Sequence, residues 1–137
     1  MGVRRGVRAT FLLTKKEGLS DEEFKHHYLN IHAPMGLEMM KRHGIISYTQ
    51  QYMSAAAKAE LQEALGGKAP LIAYDAVTNI TFPDMASFKA FLVDPENLGK
   101  LREDSLNYAQ PGQFQIGWGE EYVLIDDGKP VGDAYGG

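Results

Sequence analysis

Cysteine is absent from the 137 residues of this chain, and with it go disulfides, thiolate nucleophiles and thiolate metal ligands. Long apolar runs are missing too. Near the start, Phe11-Leu12-Leu13 meets Thr14 and Lys15 at once, which is too short for a signal-peptide core or a membrane span. There is no excess of either charge large enough to create a long-range field. Fourteen Lys and Arg face 18 Asp and Glu, giving a net charge of −4, so neither phosphate backbones nor anionic lipid is favoured as a partner. Nucleotide loops are lacking as well: Gly66-Gly67-Lys68 has neither the flanking glycines nor the Ser or Thr of a phosphate loop, and no Gly-x-Gly-x-x-Gly follows a strand. These absences lead to the expectation of a cytoplasmic domain that works without nicotinamide or flavin and binds neither nucleic acid nor membrane.

What is present is enough for one domain with its own core, and too little for two. Val7 to Thr14 alternates and is rich in Val, Phe and Leu, as a first strand should be. Ser20-Asp21-Glu22-Glu23 carries the hydroxyl and the glutamate of a capping box. Phe24, Tyr28, Ile31 and Met35 then recur at helical spacing until Pro34 intervenes, so one long bent helix or two consecutive helices are expected up to His43-Gly44. Ile45 to Met53 reads as a second strand, Ala55 to Leu65 as a short helix and Leu71 to Phe82 as a third strand. A helix is expected from Pro83-Asp84 and is interrupted at Asp94-Pro95. Helical sequence resumes from Glu96 to Tyr108, Gln110-Pro111-Gly112 reads as a turn, and Phe114 to Ile125 is extended. The order implies an α+β ferredoxin-like fold with one accessory helix, occupying residues 1–125, followed by a Gly-rich, flexible tail at 126–137. Helices on one face of the sheet leave the other needing cover, which a second copy supplies most simply, so a homodimer is expected.

The residues that could carry chemistry cluster in the first long helix and on the strands. His26, His27, His32 and His43 contain no pair at the one-turn spacing of a helical metal grip, and a metal at His32 would need distant carboxylates such as Asp75 and Asp104. No metal site is expected. His32 is read either as a helix-end imidazole satisfied by backbone and solvent, or as a general acid/base whose backbone Pro34 fixes beside the Tyr28 stripe. His26 and His27 read as exposed bystanders. Asp75 lies in strand sequence, either at a solvent-facing edge or as a carboxylate needing a partner, and Asp104 is either a surface charge or a carboxylate facing the sheet. Tyr28 and Tyr48 have phenols able to donate to an enolate or phenolate oxygen. Tyr52, Tyr74, Phe24 and Phe88 are candidate walls around a flat ligand, and Trp118 is a core anchor or a plate against an aromatic ring.

The segments FLLTKKEGLS, DEEFKHHYLNIHAP and FPDMASFKAFLVDPE resemble those of EthD-domain proteins of the dimeric α+β barrel superfamily. The likeness runs from Val7 to about Ile125 and is to small fungal members found with aromatic polyketide pathways, including decarboxylases of anthraquinone-type precursors. It implies a ferredoxin-like monomer, a homodimer whose sheets meet in a barrel, and a pocket between sheet and helices. In that comparison His32 matches the family's His before Pro, with Tyr28 beside it. The reaction implied is a cofactor-independent, metal-independent lyase step, decarboxylation of a hydroxylated anthraquinone or anthrone acid by acid/base chemistry. Cyclisation with dehydration, anthrone oxygenation and simple binding of a planar metabolite are the alternatives. The resemblance does not place Asp75, Asp104 or the other tyrosines on a catalytic motif of the family.

Overall fold

The computed structural model describes residues 2–132. Strand β1 (Val3–Lys15) lies at the centre of a four-stranded antiparallel sheet of order β2-β3-β1-β4, with β2 at Ser47–Tyr52, β3 at Ala76–Phe82 and β4 at Ala109–Val123. Directly opposed residues share a face, so the pairs Ala9 with Ile80 and Phe11 with Thr78 place β1 and β3 side chains together towards the helices. Val7, Ala9, Ala76, Ile80 and Phe82 are buried there. The opposite face carries polar pairings such as the Thr10 hydroxyl donating to Asn79 at 2.9 Å.

The capping box forms as its sequence demands. The Glu23 amide donates to the Ser20 hydroxyl at 3.0 Å, and the Ser20 amide donates to the Glu23 carboxylate at 2.9 Å, which starts α1 (Asp21–Lys25). The chain then stays helical through the proline, by changing its pitch. Residues His26–His32 form a π-helical segment that passes into α2 (Ala33–Arg42), and the Ala33 amide reaches back five residues to the Tyr28 carbonyl. A proline has no amide hydrogen and its ring crowds the carbonyl four residues earlier; the wider π turn relieves both problems without ending the helix. Of the two expectations for this stretch, the single continuous helix is found.

Helix α3 (Ala55–Ala64) is the accessory element and has no buried residue. Strand β3 begins later than its sequence suggests. The Pro70 to Asp75 segment is irregular, and the Asp75 amide donates to the Leu13 carbonyl at 2.8 Å, so Asp75 stands at the entrance of the strand instead of inside it. Helix α4 (Met85–Leu92) is followed by a second π-helical segment, Asn97–Leu101, and by α5 (Arg102–Ser105). Strand β4 absorbs the expected Gln110-Pro111-Gly112 turn as an irregularity: pairing jumps from Leu13 with Phe114 to Lys15 with Ala109, and Gly112 takes φ 76°, which glycine adopts without a Cβ clash. Beyond it, β5 (Ile125–Asp126) and β6 (Lys129–Pro130) pair as a small hairpin that straddles the expected start of the tail. Residues 133–137, where the rest of that tail falls, lie outside the described residues.

Two clusters fill the space between sheet and helices. One joins Ala9, Met39, Ile80, Phe82, Phe91 and Leu101, and the other joins Phe24, Tyr28, Ala76 and Tyr108. The expected dimeric α+β barrel is not formed. Among the described residues the sheet stays open, with β2 and β4 as its two edges, unpaired with each other. The physical reason is strand number, since a closed barrel with a filled interior takes roughly eight strands.

Candidate active site

The cavity between the sheet and the helices has a volume of about 220 Å³. Tyr28, His32, Ala33, Gly36 and Met40 line it from the long helix, and Phe11, Leu13, Tyr48, Thr78 and Ile80 from the sheet. Phe91 and Leu92 close it from α4, Asn97 and Leu101 from the second π-helical stretch, and Tyr108 from just past α5. None of these lining residues is a lysine, arginine, aspartate or glutamate. The cavity is therefore an apolar chamber with a few polar points: one imidazole, three phenols, a threonine hydroxyl and an amide.

His32 is the one titratable base among them. Its Nδ1 lies 2.8 Å from an Asp104 carboxylate oxygen, and the two side chains are only 15% and 12% exposed. An ionised carboxylate can only accept, so Nδ1 carries the hydrogen and Nε2 is left with the lone pair. Burial lowers the imidazole's pKa from its ordinary value, with the hydrogen bond and negative charge of Asp104 pulling the other way. Burial likewise works against ionisation of Asp104, but hydrogen bonds from His32, His27 and Asn107 outweigh it and hold the carboxyl below its ordinary range. His32 is thus a neutral base with a fixed tautomer.

The phenols are kept in their protonated form. Tyr28 is buried and shares a hydrogen bond with the Thr78 hydroxyl; burial pushes its pKa well up. Tyr48 is raised by burial too, and its hydroxyl accepts from the Gln50 amide at 2.9 Å, which leaves its own hydrogen free to donate. The Tyr108 ring lies flat against Tyr28 at 4.6 Å between centroids and sits 4.8 Å from the His32 ring. Burial raises Tyr108 as well.

Four of the side chains singled out in the sequence meet at this point: His32, Tyr28, Tyr48 and Asp104. Tyr52 and Phe24 stand behind them, Tyr52 edge-on to both Tyr28 and Phe24. Asp75 is elsewhere, accepting from the Lys15 amide at 2.8 Å and from the Lys58 ammonium at 3.4 Å, a tie between the end of β1 and α3. Trp118 stacks on Phe88 at 4.6 Å and borders a different, shallow depression with Met85 and Asp84. Tyr74 lies outside the cavity lining. Among the described residues no group of three or more His, Asp or Glu side chains is arranged to hold a metal.

Three participants escape a reading based on α-helical spacing. His27 Nε2 lies 3.0 and 3.1 Å from the two oxygens of Asp104. In an α-helix, residues five apart point about 140° away from each other. The wider turn of the π segment brings them towards the same side, and His27 and His32 reach one carboxylate. The available signal was Pro34, whose missing donor invites that turn. Tyr108, just past the last helix, and Thr78, opposite Phe11, are the other two.

A model of the EthD domain matches residues 16–112, which takes in the whole helical half of this site and ends just past Tyr108. The chain belongs to the EthD-domain family. Among curated relatives, the decarboxylase claH of Passalora fulva is 30% identical over 125 residues, covering 89% of this chain and 80% of its own. The dehydratase aurZ of Gibberella zeae is 29% identical over 128 residues, covering 91% and 83%. The fold has solved counterparts. The crystal structure of an EthD-family protein from Bacillus halodurans superposes with a TM-score of 0.58 at 16% identity, over 87% of this chain and 99% of its own. A dabb-family protein with a ferredoxin-like fold from Mesorhizobium loti gives 0.51 at 15% identity, over 88% and 97%. Within this EthD domain the polar points of the cavity can move one proton and share one negative charge, and the rest of the wall is apolar.

Proposed function

We propose that this EthD-domain protein is a lyase that removes CO₂ from a hydroxylated aromatic acid of the polyketide type, an anthraquinone or anthrone carboxylate. The observation that carries the reading is His32: a buried imidazole in the wall of an apolar cavity, its Nδ1 fixed on Asp104 at 2.8 Å and its Nε2 free for substrate. In the reaction, Nε2 takes the proton of the phenol beside the carboxylate and returns it to the ring carbon that bears the carboxylate. That carbon becomes tetrahedral and the ring holds a ketone. The C–C bond then breaks, CO₂ leaves, and the bond's electron pair restores the aromatic ring and the phenolate, which takes one proton from solvent. Asp104 stabilises the transient imidazolium, and Tyr28 and Tyr48 donate to the oxygen that carries the charge. The carboxylate finds no cation in the lining, so it is poorly solvated before cleavage and relieved by it.

Dehydration is the second reading, and the dehydratase named among the relatives favours it. The same His32 would remove a proton next to a carbonyl and return it to a departing hydroxyl. Incubating the protein with a panel of hydroxyanthraquinone carboxylates and hydroxylated polyketide ketones, followed by mass spectrometry, tests both. Loss of the mass of CO₂ is expected, loss of the mass of water would transfer the assignment to dehydration, and unchanged masses across the panel would refute a lyase.

A further inference from the structure

Asp104 serves two imidazoles, and the acid/base reading of His32 uses only one. The Oδ2 atom of Asp104 accepts from His32 Nδ1 at 2.8 Å, while Oδ1 accepts from Asn107 Nδ2 at 3.1 Å and from His27 Nε2 at 3.0 Å. His27 is 22% exposed and stacks on Tyr108 at 5.7 Å, on the side away from the cavity. There it borders a surface depression with Glu22, Glu23 and His26. One ring of the pair therefore faces substrate and the other faces solvent, with a single carboxylate between them.

We propose that His27 is a positioning residue of the same site: its Nε2–H holds Asp104 in the orientation His32 needs, and a proton taken up by His27 draws the shared carboxylate away from His32. The titratable groups around His27 are Asp104 and Tyr108 on one side, His32 along the π segment, and Glu22, Glu23 and His26 at the depression. Because two rings share one acceptor, their titrations belong to the pair. In agreement, burial lowers His32, Asp104 opposes this, and charge on His27 lowers His32 further.

The inference rests on His32 being the acid/base, so its test has one arm that needs no turnover. In that arm, ring NMR titrations of the parent and of His27→Gln are compared. The His32 midpoint is expected at higher pH in His27→Gln, and an unmoved midpoint overturns the coupling. In the kinetic arm, His27→Phe is expected to lower kcat about 10-fold with KM within about twofold. His27→Gln, which keeps an N–H donor for Asp104, restores most of that loss, and the acid limb of kcat/KM drops from two ionisations to one. Parent kcat and a parent acid limb in His27→Phe would overturn the positioning role. Should His27→Phe fail to fold, the acid limb of His27→Gln decides. If His32→Gln turns over as fast as the parent, the acid/base reading falls by itself, and the ring titration still judges the coupling.

Discussion

At the scale of single residues, the site rests on a histidine whose Nδ1 is held by Asp104 while its Nε2 is left to the cavity. Replacing His32 by glutamine keeps a polar side chain of similar reach but removes the proton acceptor. Turnover of an accepted substrate is expected to fall by about 10² to 10⁴ with the fold intact, as judged by circular dichroism and kcat. The pH dependence follows from the direction of the imidazole's shift. Burial holds His32 below its ordinary value of 6.5, so the neutral base persists to lower pH than in the unfolded chain. The acid limb of kcat/KM is therefore expected to have its midpoint below 6.5, and a midpoint above it would contradict the burial argument. Stability follows the same sign: the folded chain takes up this proton less readily, so stability falls as pH drops from 6.5 through the folded value. His32 was legible in the sequence because Tyr28 lies one turn before it and Pro34 two residues after. Asp104 was legible only as a surface charge or a carboxylate facing the sheet, since the imidazole it holds is 72 residues away.

At the scale of elements, the decisive feature is the π segment His26–His32. Proline in a helix interior costs roughly 3 kcal/mol relative to alanine. Pro34→Ala restores the amide donor, so the wider turn is no longer required and the segment can tighten to α-helical pitch, which would turn His27 and His32 apart. The expectation is a thermal midpoint that holds or rises together with a kcat that falls about 10-fold. A variant with unchanged kcat would show that the π turn stands without the proline. The sequence announced a disturbance at Pro34 without fixing its form, because a break, a kink and a π turn all answer a missing amide. Strand β3 teaches the complementary lesson. Alternation from Leu71 to Phe82 fits a strand twelve residues long, but pairing with β1 begins only at Ala76, so Asp75 is an anchor at its mouth and not a buried carboxylate within it.

At the scale of the whole molecule, the order of elements was legible almost entirely, because each strand and helix carries its own period and its own stop signals. How the edges of the sheet are used was not, since periodicity describes one chain. Strand β4 is a fifteen-residue edge with Phe114, Ile116 and Tyr122 exposed, and long apolar edges are ones that proteins pair or protect. We expect a homodimer, read as twice the 15.2 kDa chain mass by sedimentation velocity at micromolar concentration; a stable monomer would refute it. The missing cations of the cavity wall also bear on how substrate arrives. With a net charge of −4 and no lysine or arginine lining the chamber, the protein offers no fixed positive charge to attract the anionic acid proposed as its substrate. Association is then set by diffusion and fit instead of electrostatic steering, and raising the ionic strength screens only a weak repulsion. kcat/KM for the acid should stay level or rise slightly between roughly 0.05 and 0.5 M salt, whereas a steep decline would reveal a basic entrance that the lining does not contain.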